Sequence, residues 1–216
     1  MYINRNNHYR FKSTRSGFTL VEFLIVIGIL ALSIGSILLL LTSVIKGTNQ
    51  TNISAEVKQN GQVALDSIER QIRGAVSVDE MAQSLLTSYG SSPSINSGIM
   101  VTQNSGNNLY IICVNSYTVP GSPEQNRNGW IGIASGTSPP AVRGDYQALT
   151  NTDLISGVNI VCAVNLSKAL QVHTTGTSTR GVTLYFAAQQ AINAPARADF
   201  LAEAQFKTTI ALRDYN

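Results

Sequence analysis

The feature that most constrains this chain is an uncharged, apolar stretch near its start, from Phe23 to Leu41. After Phe23, only glycine and serine residues interrupt the aliphatic side chains. Continued to Ile45, the stretch is long enough for a helix that crosses the roughly 30 Å hydrocarbon core of a bilayer. We therefore predict one membrane-spanning helix, with residues 18–46 as its extent.

The basic residues before this stretch predict its orientation in a membrane. Residues 1–17 contain Arg5, Arg10, Lys12 and Arg15 and no acidic residue. Because the Lys/Arg-rich flank of a membrane helix stays cytoplasmic, the domain after the helix is expected outside the cytoplasm. The leader also accounts for the net charge of +3, since the rest of the chain has eleven Lys or Arg residues against twelve Asp or Glu residues.

The apolar stretch differs from an ordinary secretory signal peptide in two ways. It is longer than the typical apolar region of about 7–15 residues. The segment "LLLLTSVIKGTNQT" that ends it contains no Ala-x-Ala cleavage pattern. We therefore expect an uncleaved anchor or a different processing event.

A short motif joins the leader to the apolar stretch. Gly17 is followed at once by Phe18-Thr-Leu-Val-Glu22, and then by the long apolar run. This arrangement resembles the class III signal of type IV prepilins. The resemblance implies that a prepilin peptidase cuts the Gly17–Phe18 bond, leaves residues 1–17 as a cleaved leader and methylates the new amine of Phe18. It also implies assembly into a helical filament by an inner-membrane platform.

Glu22 is the one charged residue at the start of the apolar helix. An ionised carboxylate within lipid costs roughly 2.5–3.5 kcal/mol on insertion scales, so such a residue usually has a partner. The resemblance implies that this partner is the Phe18 amine of a neighbouring subunit, which would favour one axial stagger between helices. The alternative is a boundary glutamate at the level of the lipid headgroups.

Three small residues, Gly28, Ala31 and Gly35, follow one another at helical spacing in the apolar stretch. Small residues on one face let membrane helices approach closely, so this face is a candidate helix-packing surface. The alternative is ordinary membrane-helix composition, in which glycine is common.

The polar segment after Gly47 keeps an apolar stripe at three- and four-residue steps, which indicates an amphipathic helix. The stripe consists of Ile53, Val57, Ala64, Leu65, Ile68, Ile72 and Ala75 or Val76, with Gly61 on the same face. Because no proline lies between Phe18 and Val78, we predict one continuous helix with residues 47–78 as its amphipathic part.

The segment "SAEVKQNGQVALDSIERQIRGA" extends the resemblance more loosely. It is similar to the corresponding helix of W-type minor pilins and of J-type minor pseudopilins of type II secretion. Many major pilins carry a proline in the middle of the apolar helix, whereas four leucines, residues 38–41, occupy that region here. This difference favours a minor subunit or a pseudopilin.

Residues 79–216 are predicted to form an exported, β-rich globular domain. A short helix is expected within "DEMAQSLLTSYG". Strands are expected in "GIMVT", "NLYIICVNSY", "WIGIAS", "VNIVCAV", "ALQVHTT", "GVTLYFAAQQ" and "FKTTIALRDYN". We expect "VNIVCAV" and "ALQVHTT" to pair across "NLSK". The predicted fold class is α+β and pilin-like, with the long helix packed on an antiparallel sheet of about four to seven strands.

A few side chains in this domain are candidates for a role beyond packing. Cys113 and Cys162 lie in strand-like segments, and either a disulfide or two buried free thiols fits them. Trp130 and Tyr146 are candidate interface aromatics, although core packing is the favoured role for both. The resemblance to pseudopilins, some of which have a calcium site in a loop, leaves such a site open at Asp145 and Asp153. Two acidic residues eight positions apart support it only weakly, so we assign no metal ligand.

The sequence contains no recognisable catalytic motif. His173 lies in a strand-like segment, His8 lies in the leader, and "GTSTRGVT" at 176–183 lacks the Lys-Ser/Thr of a P-loop and favours a hairpin turn. We therefore expect a non-enzymatic filament subunit without a cofactor. Its partners would be the peptidase, other pilin or pseudopilin subunits, the assembly platform and, before assembly, membrane lipid. The alternative is an uncleaved, single-span anchored binding protein outside the cytoplasm.

No basic, aromatic-rich segment outside the leader indicates nucleic-acid binding. A few clustered side chains would leave no compositional signal, so the sequence leaves nucleic acid open as a partner.

Overall fold

A computed structural model describes residues 17–90, 93–164, 168–175, 178–195 and 201–212. Residues 1–16 of the predicted leader lie outside the described residues, as does His8. The chain divides into two compact units, Met1–Ile45 and Lys46–Asn216.

The elements follow one another in an α+β order. They are α1 (Leu20–Arg73), β1 (Ala75–Glu80), α2 (Gln83–Ser88), β2 (Ile95–Gln103), β3 (Asn108–Val114), β4 (Trp130–Gly136), β5 (Gln147–Ala148), β6 (Val158–Val161), β7 (Leu170–Thr175), β8 (Ser178–Gln190) and β9 (Glu203–Ala211). Two short 3-10 turns, Pro123–Gln125 and Arg143–Asp145, flank β4 in sequence. The long apolar N-terminal helix and the antiparallel strands confirm the coarse fold class.

The second half of α1 is amphipathic, as the stripe predicted. Its buried residues are Val57, Gly61, Ala64, Leu65, Ile68 and Ile72. The prediction extended the helix to residue 78, but α1 ends at Arg73 and Ala75–Glu80 is a strand instead. Gly74 has a low helix propensity, and the β-branched Val76 and Val78 favour the extended backbone of β1.

The strands form two antiparallel sheets instead of the single sheet that we expected. The first has five strands in the order β1-β2-β3-β4-β5. In the second, β8 is central and pairs with β6, β7 and β9. The predicted pairing of "VNIVCAV" with "ALQVHTT" is wrong, because β6 and β7 each pair with β8 and not with each other.

The length of β8 explains the different pairing. Its 13 residues are enough for β7 and β6 to pair with different parts of it. β7 pairs with the part of β8 from Ser178 to Leu184, and β6 pairs with the part from Ala187 to Gln190. The register of β7 and β8 fits the predicted hairpin, although residues 176–177 at its turn lie outside the described residues.

One core contains residues of both sheets and of the amphipathic half of α1. Ile68 and Ile72 of the helix, Ile99 and Ile111 of the first sheet, and Phe186 of the second are completely buried in it. Apolar burial of this kind contributes about 25 cal/mol per Å², so the stripe on α1 is a main source of stability for this unit.

Cys113 and Cys162 form a disulfide bond. Cys113 lies in β3 of the first sheet, and Cys162 follows β6 of the second. Both residues are buried, and their Cα atoms are 5.8 Å apart. The disulfide therefore joins the two sheets covalently inside the core.

Gly61 of α1 lies against the ring of Phe206 in β9. A Cβ atom at Gly61 would lie 2.2 Å from Cε2 of Phe206, and the ring of Phe206 is stacked on Phe186 with 5.4 Å between centroids. Gly61→Ala is therefore expected to destabilise the domain by up to about 2 kcal/mol, because an overpacking cost of about 1–3 kcal/mol outweighs a gain of about 1 kcal/mol in helix propensity.

Gly47→Ala is the matched control for this prediction, since a Cβ atom there meets nothing within 4 Å. It should stabilise α1 by up to about 1 kcal/mol. Urea unfolding of the detergent-solubilised chain measures both variants. Equal stabilisation by the two substitutions would contradict the packing of α1 on β9.

Candidate functional site

The Gly17–Phe18 bond lies immediately before α1 and outside its helical backbone. Both residues are exposed, with 79% of Phe18 accessible. A Cβ atom at Gly17 would meet no other atom within 4 Å. The bond that the resemblance assigns to the peptidase is therefore on an accessible, non-helical segment.

Thr19 caps the start of α1. Its hydroxyl Oγ1 accepts a hydrogen bond from the backbone N–H of Glu22 at 3.2 Å. In the sequence this is the T-x-x-E pattern of a capping box, in which the threonine lies at the N-cap and the glutamate three residues later. Our reading of the sequence missed the role of Thr19, although the spacing was visible.

Glu22 lies in the first turn of α1 and is exposed. A carboxylate is favoured there by the helix dipole, at about 0.3–1 kcal/mol. Within the described residues its side chain makes no ion pair. The arrangement leaves the carboxylate free to accept a partner from another molecule.

The apolar half of α1 is exposed on all sides. Its large side chains from Leu20 to Ile45 are each about half or more accessible, for example 49% for Ile27 and 80% for Leu20. Among the described residues, α1 is the one helix long and apolar enough to cross a membrane. Exposure of such a surface to water is costly, so the segment is suited to an apolar environment.

Three hydroxyl groups inside this apolar segment are satisfied by the helix itself. The hydroxyls of Ser33, Ser36 and Thr42 each donate to a backbone carbonyl of the preceding turn at 2.8 Å. Gly28, Ala31 and Gly35 are exposed, and a Cβ atom at either glycine would meet nothing within 4 Å. The small face is therefore open to a second helix.

The aromatic candidates in the globular unit have different surroundings. Tyr146 is buried against Tyr89, with ring centroids 6.0 Å apart and nearly perpendicular planes. Since the Tyr89 hydroxyl donates to the carbonyl of Pro140, the Tyr146 hydroxyl donates to Tyr89 at 3.3 Å. Burial, followed by this hydrogen bond, raises the pKa of Tyr146 above its ordinary value. Trp130 is half-buried and packs beside this pair.

A cleft of about 790 Å³ opens next to Trp130, and we call it the arginine cleft. The loops before β2 and after β3, the two 3-10 turns and the loop after β5 bring its lining together. The lining comprises Pro93, Tyr117, Gln125, Arg127, Asn128, Trp130, Arg143, Gly144, Tyr146, Ala148, Thr152, Asp153 and Leu154. No sequence motif indicated this cleft, because its residues are scattered over about a quarter of the chain.

The residues considered for metal or catalytic roles do not form a joint site. Asp153 lines the arginine cleft, whereas Asp145 lines a different depression. The backbone N–H groups of Ser156 and Ile155 and the Ser156 hydroxyl hydrogen-bond to Asp153, which lowers the pKa of its carboxyl. His173 is exposed, with Nε2 2.8 Å from the Thr183 hydroxyl. The described residues contain no cluster of three or more His, Cys, Asp or Glu side chains that could hold a metal.

No protein-family model, curated protein or solved structure matches this chain. The features of the chain that bear on its function are therefore the residues from Gly17 to Glu22 and the exposed apolar surface of α1.

Proposed function

We propose that this chain is a non-enzymatic structural subunit of a type IV filament, of the minor pilin or pseudopilin kind. A prepilin peptidase would cut after Gly17 and methylate the amine of Phe18. The subunit would then leave the membrane and assemble with other pilin or pseudopilin subunits through α1. The filament would belong to a type IV pilus, a competence system or a type II secretion system.

The observation that carries this proposal is the combination of an accessible Gly17–Phe18 bond with an apolar helix that has a single acidic residue in its first turn. A plain anchor needs the apolar helix but has no use for the Gly-Phe junction or for Glu22. In a bundle of such helices, the carboxylate of Glu22 is available for the Phe18 amine of a neighbour. An unpaired charge in the low dielectric of the bundle is costly, so this pairing would select one stagger.

The basic leader supports the location that the proposal requires. Before cleavage it would hold residues 1–17 in the cytoplasm, with the unit from Lys46 onward outside. Membrane lipid would cover the apolar half of α1 at this stage, and neighbouring helices would cover it after assembly. The inner-membrane assembly platform would be the partner during this transfer.

Deletion and complementation in the native cells test this role. Deletion should abolish at least one of three properties: surface filaments, DNA uptake or protein secretion. The wild-type chain should restore the lost property, and Gly17→Leu should not, since its leader would remain attached. A deletion strain with all three properties intact would contradict the proposal.

A second candidate function is an uncleaved, membrane-anchored binding protein. The arginine cleft favours it, because a cleft with this volume and lining can hold a small ligand. Full rescue by Gly17→Leu would support this second function over the first.

A further inference from the structure

The arginine cleft contains two positive charges that form no ion pair with the acidic side chains of the described residues. Arg127 donates from Nη1 to the backbone carbonyls of Glu124 and Asn126, at 2.9 and 2.6 Å. Arg143 donates from Nη1 to the carbonyl of Pro93. Neither guanidinium forms an ion pair within the described residues, and their remaining N–H groups have no described acceptor.

The acidic residue of the cleft compensates these charges only in part. One oxygen of Asp153, Oδ1, already accepts three hydrogen bonds from its own turn. The two ion pairs among the described residues, Glu69–Arg73 and Glu80–Lys168, do not involve cleft residues. The cleft is therefore a positively charged site in a chain that is nearly neutral outside its leader.

The rest of the lining combines aromatic rings with neutral hydrogen-bonding groups. The indole of Trp130 lies against the backbone at Gly132, where a Cβ atom would be only 2.4 Å from Cζ3. This contact leaves Trp130 half-buried and at the cleft wall. Gln125 and Thr152 are exposed beside it and can bond hydroxyl groups.

We propose that the arginine cleft binds an anionic carbohydrate, that is, a sugar ring that bears a carboxylate or a phosphate. The apolar face of the ring would lie on Trp130, and its hydroxyl groups would bond Gln125 and Thr152. The oxyanion would accept charge-assisted hydrogen bonds from Arg127 and Arg143, whose planar donor groups match carboxylate and phosphate. The volume of about 790 Å³ accommodates one or two such rings.

This binding activity goes beyond the filament role and does not depend on it. Ligand affinity is measured on the purified chain and does not require a filament. Cleavage after Gly17 leaves the cleft residues unchanged, so failure of either proposal would leave the other intact.

The test uses Trp130, the single tryptophan of the chain, as a reporter inside the cleft. The full chain is kept in a polyoxyethylene detergent, which carries no sugar, and is titrated at constant ionic strength with three probes. Glucuronate, glucose 6-phosphate and glucose share one ring and differ in the charge at its sixth carbon. Equilibrium dialysis with labelled sugars provides the affinities independently of the size of the fluorescence change.

At least one anionic sugar should bind saturably, and glucose should bind about tenfold more weakly or worse, because it lacks the charge-assisted hydrogen bonds. Binding of glucuronate alone would identify the ligand group as a carboxylate, and binding of glucose 6-phosphate alone would identify it as a phosphate. The proposal is overturned if no anionic sugar binds or if glucose binds equally well.

Arg127→Gln and Arg143→Gln should each weaken binding by about tenfold. Lys168→Gln is the control, because Lys168 pairs with Glu80 outside the cleft, and it should leave the affinity unchanged. Thermal unfolding verifies that each variant is folded. If Arg127→Gln disturbs its loop, Arg143→Gln alone decides, and unchanged affinity in that variant overturns the proposal.

Discussion

Glu22→Ala is expected to reduce the recovery of this chain in filament complexes by about tenfold or more, while cleavage after Gly17 continues. The physical reason is that the substitution leaves the Phe18 amine of a neighbouring subunit unpaired within an apolar bundle. Removing one partner of a buried pair costs roughly 3–5 kcal/mol, and about 1.4 kcal/mol already changes an equilibrium tenfold. Cross-linking in cells, followed by immunoblotting of the complexes, measures the recovery.

Two further variants separate charge pairing from helix capping. Glu22→Gln preserves the shape of the side chain and removes its charge, so it should fail like Glu22→Ala. Thr19→Ala removes the hydroxyl that caps α1, which costs about 1 kcal/mol, and should have the milder effect. Glu56→Ala, on the second half of α1, is the acidic control and should assemble normally. Normal assembly of Glu22→Ala would refute the pairing.

Replacing both cysteines of the disulfide should destabilise the globular unit by about 4 kcal/mol, the loop-closure value for a separation of 49 residues. The bond connects β3 to the end of β6, and in the unfolded chain it holds these two segments together, so its loss increases the conformational entropy of the unfolded state. Urea unfolding of Cys113→Ala/Cys162→Ala, followed by the fluorescence of Trp130, measures the loss.

Reduction of the disulfide in the wild-type chain is the matched comparison, because it breaks the bond without replacing a side chain. It should lower the free energy of unfolding by a similar amount. The oxidised wild-type chain in the same detergent supplies the stability reference. A loss below about 1 kcal/mol in both experiments would contradict a structural role for the bond.

The parts of the fold that depend on local periodicity were predictable. The apolar stretch and the stripe from Val57 to Ile72 both predicted α1, because a helix repeats every 3.6 residues and burial follows that repeat. The helix end was less predictable. Gly74 was visible as a weak position, but the extended backbone of β1 depends on its pairing with β2.

The partners of the strands were not predictable in the same way. β6 and β7 are close in sequence, and short connections favour hairpins, yet both pair with β8. That choice depends on the length of β8 and on the core that Phe186 and Ile160 share. Such non-local contacts leave no periodic signal in the sequence.

The two candidate sites differ in the same way, since one is contiguous in sequence and the other is not. The residues from Gly17 to Glu22 are contiguous, so their pattern was readable, including the capping spacing that we missed at Thr19. The arginine cleft is assembled from separate loops, and neither Arg127 nor Arg143 has a neighbouring motif. Only the folded chain brings these two arginines to the wall that Trp130 forms.

Mass spectrometry of the N-terminus of the mature chain shows whether the chain is processed after Gly17. The chain is isolated from the cells that make it, by a tag near the C-terminus, and its N-terminal peptide is sequenced. We expect a chain that begins at Phe18 and carries one methyl group on the Phe18 amine. An intact N-terminus at Met1, or cleavage at any other bond, would contradict it.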